Sequence, residues 1–311
     1  MKKGRFAFNA AALVTLVLAC ASVTRAQEAR TFVAEWGRDT GSCSQFSPCR
    51  QITYALTQVS DGGEVNIEDN GTYRNFTITR PVTITTVPGV HALVYTVGDS
   101  AIRVQNAGTV VLHGLKIRGI MGDEIGIENF SPSDPAPHLS LHVEDCVMEH
   151  LDQGVAIRVK NTSLMVKDTT FRSRSGIIFQ GDGDCFVNHS LFEDNSFGGI
   201  SVIGGRKGER AVAVVRDSII VHADFGFRVQ APGEGLAEIT VENCAVTNSR
   251  IGVIIYGTSE TVVRVSNSTI TNNDYGFAGT EGGRIYSRGN NTVHGNRIID
   301  SLITITTIPA T

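Results

Sequence analysis

Glu149, Arg172 and Glu193 stand 23 and 21 residues apart in three matching segments, so a repeating fold would bring them into one column. Two carboxylates around a cation could act as acid and base at a glycosidic bond, where inverting enzymes hold the pair roughly 6.5–9.5 Å apart. Two rungs of a sheet separate equivalent positions by roughly 9.6 Å, at the edge of that window. Alternating signs on neighbouring rungs are equally a stabilising cross-strand ladder, and that plainer reading comes first. The stretch Asp182, Gly183, Asp184 is the most calcium-like in the chain. It lacks the longer ligand series of a calcium loop and makes a tight turn just as well. Asp152, Arg174, Asp224, Arg250 and Asp274 each stand two residues before a glycine and alternate in sign, which reads as ion pairs at turns. His142, His150 and His222 lie near the same surface, where a solvated turn role is plainer than that of a catalytic base.

The elements that must position these residues follow from a repeat. Segments beginning at Val143, Val166, Val187, Val215, Val241 and Val265 superimpose without gaps, and Leu112 opens a seventh copy. Each is followed by a turn and then by a glycine that opens an apolar alternation: Gly126, Gly154, Gly176, Gly199, Gly226, Gly252 and Gly276. Alternation with period two marks strands buried on one face. Short strands recurring every 21 to 31 residues with no interleaved helical pattern predict a parallel β-solenoid. Small residues (Cys146, Thr169, Ser190, Ser218, Cys244, Ser268) form a column predicted to stack inside. Beside it runs a turn column of Asp145, Asp168, His189, Asp217, Asn243, Asn267 and Asn291, short polar side chains that tolerate bent backbone. The bulky column from Ile117 through Met148, Phe171, Phe192, Ile220 and Val246 to Ile270 is predicted core.

A solenoid needs its ends covered. Pro48–Val59 places Ile52, Ala55, Leu56 and Val59 on one helical face behind Ser47 as N-cap, which predicts a capping helix ahead of a first strand at Glu64–Glu68. The expected organisation is a signal segment over 1–26, an N-terminal segment with the cap helix over 27–63, the β-helix over 64–300, and a last strand or tail over 301–311. Thr31–Val33, Cys43, Ser47 to Cys49, Asp61 to Asn66, Thr77 to Ile84, Val265 to Thr271 and Gly289 to Asn296 resemble the bacterial secreted right-handed parallel β-helix repeat proteins of the pectin-lyase-like superfamily. The resemblance implies an all-β, single-stranded right-handed parallel β-helix. Its members range from pectate lyases, polygalacturonases and alginate epimerases to tailspikes and adhesins, so the fold alone does not choose a function. The Asn-Thr-Asp, Asp-Asp and Gly-His-Gly segments of polygalacturonases do not occur here, and Lys116, Ile117, Arg118 reverses their Arg-Ile-Lys.

Cys43 and Cys49 are close in sequence and read as a disulfide clipping the loop before the cap, while Cys146, Cys185 and Cys244 read as buried free thiols. Lys2, Lys3 and Arg5 ahead of the apolar run Ala10–Ala19, with small residues at Thr24 and Ala26, read as a secretory signal cleaved before Gln27. A competing bacterial lipobox reading would leave Cys20 acylated. Cleavage after Ala26 removes four basic residues and no acid, leaving 23 basic against 31 acidic side chains and a charge of −8. That balance gives no footprint for nucleic acid, and no apolar run is long enough to span a bilayer. The expected function is a secreted or periplasmic, non-catalytic module binding a polysaccharide or another surface polymer. The alternatives are a lyase or hydrolase acting on acidic polysaccharide, the lyase with calcium, and a purely structural or adhesive solenoid. The sequence does not choose an oligomeric state.

Overall fold

Side-chain alternation sets the architecture. In Leu139–Glu144 the side chains of Leu139, Leu141 and Val143 are buried while Ser140, His142 and Glu144 are only half so, and the same pattern recurs along the chain. The computed structural model describes residues 27–131, 136–257, 260–280, 282–301 and 303–309; the expected signal segment 1–26, with Cys20, lies outside them. Among the described residues the strands form three parallel sheets, one of twelve strands (sheet 1) and two of ten (sheets 2 and 3). Each turn of the chain passes through the three in order, as in Leu139–Glu144, Val147–Glu149 and Gln153–Ile157. The repeat valines pair directly, from Val143 to Val166, Val187, Val215, Val241 and Val265. The fold is therefore an all-β parallel solenoid.

Four columns of residues hold the turns together. At the corner from sheet 1 to sheet 2, Asp145, Asp168, His189, Asp217, Asn243 and Asn267 all adopt φ between 47° and 53°. This left-handed region is open chiefly to glycine and short polar residues. The small residues that follow are buried and bonded rung to rung. The amides of Cys146, Thr169, Ser190 and Cys244 donate to the hydroxyls of Thr169, Ser190, Ser218 and Ser268. Asn291 sits in this internal column rather than in the turn column: its Oδ1 accepts from the Ser268 amide at 2.8 Å. A second internal column marks the corner into sheet 3, where Ser249, Asn273 and Asn296 each accept an amide from the preceding turn.

The fourth column is glycine. A Cβ on Gly126, Gly154, Gly176, Gly199, Gly226 or Gly252 would stand only 2.5–2.8 Å from the carbonyl oxygen of the next glycine in the series. The rings of Phe171 and Phe192, stacked at 4.7 Å, fill the core space left beneath Gly154 and Gly176.

The N-terminal end departs from expectation in detail. Helix α1 spans Ile52–Gln58, shorter than the predicted Pro48–Val59, and buries Ile52, Ala55 and Leu56 on the core. Ser47 does not cap it. No side chain does; just ahead of the helix Asp39 Oδ1 accepts the amides of Arg50 and Gln51, both at 2.9 Å. The first strand is Glu28–Val33, ahead of the helix, and the next, Val59–Ile67, begins before the predicted Glu64. Cys43 and Cys49 form a disulfide whose flanking amides and carbonyls bond to Phe32 and Ala34, tying this loop to the first strand. At the other end Ile305–Thr307 pairs with Arg284–Ser287 and closes sheet 1.

Substituting Gly226 by alanine drives a methyl group against the Gly252 carbonyl and Val246, both 2.5 Å from the ideal Cβ. We expect a destabilisation of ~1–3 kcal/mol, read as a lowered thermal midpoint. An unchanged midpoint would remove the glycine column from the account.

Candidate functional site

The predicted carboxylate column exists on the outer face of sheet 2. Arg118, Glu149 and Arg172 are direct cross-strand neighbours, and the next strand brings Glu193. Arg172 lies between the two acids: its Nη1 is 3.4 Å from Glu149 Oε1, and its Nε donates to Glu193 Oε1. Lys116 Nζ contacts the other Glu149 oxygen at 2.9 Å. Burial alone would raise the Glu149 pKa, but hydrogen bonds and charge from Lys116 and then Arg172 outweigh it, so the carboxyl titrates below its ordinary value. The hydrogen bond to Glu193, with both carboxylate charges, in turn holds the Arg172 guanidinium above its usual range. A general acid needs a carboxyl raised toward neutrality. Here the geometry builds a charge ladder.

The turn charges behave alike. Arg174 contacts Asp152 at 2.6 Å, Arg250 grips both oxygens of Asp224, and Arg297 lies 3.6 Å from Asp274. His222 faces Asp194 at 3.4 Å, and His142 bonds to Ser140 at 3.1 Å. Asp182 accepts the Arg210 amide at 3.0 Å, which spends one of its oxygens on the loop, and Asp184 is 4.0 Å from the Arg210 guanidinium. Among the described residues no three His, Cys, Asp or Glu side chains gather as metal ligands. Burial pushes the thiols of Cys146 and Cys185 up to about 12 and that of Cys244 up to about 11, which withholds the reactive thiolate.

A different surface concentrates side chains without such mutual neutralisation. On the outer face of sheet 3, Phe225, Ile251 and Ile254 form a small hydrophobic cluster separate from the core, joined by Phe197, Tyr275 and Ala278. Phe197 meets Phe225 edge-on at 5.0 Å. The Arg228 guanidinium lies 5.7 Å from the Phe197 and Phe225 rings and 5.8 Å from Tyr256. It donates through Nη2 to Gln230, while its Nε is buried with no acceptor among the described residues. Beside it opens a cleft of about 310 Å³ lined by Arg228, Gln230, Ala231, Pro232, Tyr256 and Gly257. The same outer column runs back through Ser201, Ile178, Ala156 and Glu128 to Arg103. Arg103 pairs with Asp99 at 2.8 Å and sits by a second cleft of about 320 Å³ that includes Thr53, Asn75 and Thr77. Five strand spacings separate Arg103 from Arg228, roughly 24 Å.

Sequence reasoning missed this face. Phe225 and Phe227 flank one glycine and look equivalent in an apolar alternation, yet Phe227 is core and Phe225 belongs to the outer cluster. The available signal was an aromatic residue ahead of the rung glycine, as in Phe197, Phe225 and Tyr275.

Residues 100–264 and 175–306 match the family model described as the right handed beta helix region, and the chain belongs to that family. Among solved structures, the GH136 lacto-N-biosidase from Eubacterium ramulus is similar in both its selenomethionine and native forms. Each has a TM-score of 0.53 at 10% identity, covering 90% of this chain and 68% of that one. At that identity the likeness is one of fold. No protein of curated function matches the chain.

Because Glu149 is held ionised, its contribution to stability is full above the ordinary glutamate pKa and is lost as pH falls through its lower folded value. Glu149→Gln should therefore melt below the parent at pH 7, with the gap closing under about pH 4. A gap that widens on acidification would contradict the ladder.

Proposed function

We propose that the protein is a carbohydrate-binding β-helix that lays a polysaccharide or surface polymer along the outer face of sheet 3. The observation that carries this reading is a platform of half-buried Phe197 and Arg228 with exposed Tyr256, resting on the buried ring of Phe225 beside an open cleft. Aromatic faces stack on the C–H surfaces of sugar rings, and arginine donates to their hydroxyls and ring oxygens. The outer column runs about 24 Å from Arg228 past Ser201, Ile178, Ala156 and Glu128 to Arg103, a length that several units of an extended chain would span. A sugar-cleaving protein of the same fold, the lacto-N-biosidase, adds support for a carbohydrate ligand. Binding without turnover is favoured because Glu149 and Glu193, the acids named from the sequence, are tied together through Arg172.

The proposal places the protein outside the cytosol, exported by the segment over residues 1–26. The Cys43–Cys49 disulfide belongs to an oxidising compartment. Among the described residues no helix is long and apolar enough to cross a membrane.

Calorimetry against a panel of neutral and acidic glycans tests the reading. Tyr256→Ala should weaken the best ligand by about tenfold, and Arg172→Ala should leave its affinity unchanged. Product assays on the same panel should show neither unsaturated ends nor new reducing ends. Absence of binding to every glycan, or loss on Arg172→Ala alone, would overturn the choice of face; released products would favour the lyase or hydrolase alternative.

A further inference from the structure

Arg228 differs from the arginines around it. Arg172, Arg174, Arg216, Arg250 and Arg264 each face a carboxylate across a rung. Arg228 pairs with no carboxylate among the described residues, although it is half-buried. A guanidinium carries five N–H donors in a planar fork. One of these goes to the neutral Gln230 amide, and the Nε–H is buried without an acceptor. The three rings attract the cation through their π faces but accept no strong hydrogen bond. Withdrawing a charge from water without a counter-ion is costly, and the cost falls when a charged group fills the free donors.

The cleft of about 310 Å³ opens beside this guanidinium, with Tyr256 on its wall as a stacking surface. Resting on the reading of this face as a glycan platform, we propose that Arg228 is the seat of one anionic substituent, a carboxylate or a sulfate ester, carried on the bound sugar. The paired oxygens of such a group match the arginine fork in a way that a lysine ammonium would not. The Arg103 end of the face supplies no second seat, because Asp99 and Glu128 already occupy that guanidinium. One anionic unit is thus held at one end of the face, and the rest of the glycan lies along the outer column.

The experiment compares three forms of one oligosaccharide backbone: neutral, carboxylated and sulfated. Affinities are measured by calorimetry for the parent, Arg228→Gln, Arg228→Lys and Tyr256→Ala at low and high salt. The parent should prefer an anionic form by about tenfold, with the preference shrinking in high salt. Arg228→Gln should abolish the preference, costing the anionic forms about tenfold more than the neutral one, Arg228→Lys should recover only part of it, and Tyr256→Ala should weaken all forms together. If the carboxylate is the source, the preference disappears as pH falls through the ligand's own carboxyl pKa; if the sulfate is, it persists. Equal affinity of the parent for neutral and anionic forms would overturn this inference and leave the glycan platform standing. Failure of the parent to bind any form would overturn both. Should Arg228→Gln not fold, the parent's own ratio and Arg228→Lys still decide: a full preference retained by lysine contradicts a seat built on the fork.

Discussion

Each turn of this solenoid must lie one strand spacing from the last, and the tightest consequence falls where the chain enters sheet 3. There the carbonyl of the next turn occupies the space a side chain would need, from Gly126 through Gly252. Only glycine permits that approach, and the approach fixes how far the sheet 3 strand swings in beneath its neighbour. The bulky residues of sheet 2 then fill what the glycines leave open, as Phe171 and Phe192 do beneath Gly154 and Gly176. The polar columns at the two corners have a complementary task. They satisfy amides that the change of direction removes from the sheets, using hydroxyl or amide side chains of the following turn.

With the interior committed in this way, function must reside on the outer faces, and those faces differ. Sheet 2 carries charges that neutralise one another from rung to rung, which leaves Glu149, Arg172 and Glu193 little capacity for an incoming group. Sheet 3 carries a cluster in which apolar rings cover one another only in part and a cation stands among them with no acid partner among the described residues. The first arrangement stabilises the solenoid. The second has unmet capacity for a ligand.

Legibility in the sequence follows from how each feature is encoded. The turn column, the small internal column and the bulky core column were readable because they recur at one place in successive copies, and the register joins the bulky members directly from Ile117 to Ile270. The disulfide was readable from local spacing. The helix start was not, since no side chain caps it and the segment ahead of it is held by Asp39, twelve residues upstream of Gln51 across the disulfide loop. The last turn was misplaced by one residue because Asn290 and Asn291 are identical in type and only pairing tells them apart. The sheet 3 platform was illegible for a related reason. Its members come from different copies, and the two residues flanking a rung glycine point to opposite sides of the wall, a distinction that composition does not carry.

Co-crystallisation with the best-bound oligosaccharide tests the central claim most directly. The account predicts sugar rings over the outer face of sheet 3, against Tyr256 and within hydrogen-bond reach of Arg228. Sugar lodged instead along Arg118, Glu149, Arg172 and Glu193 on sheet 2 would contradict it.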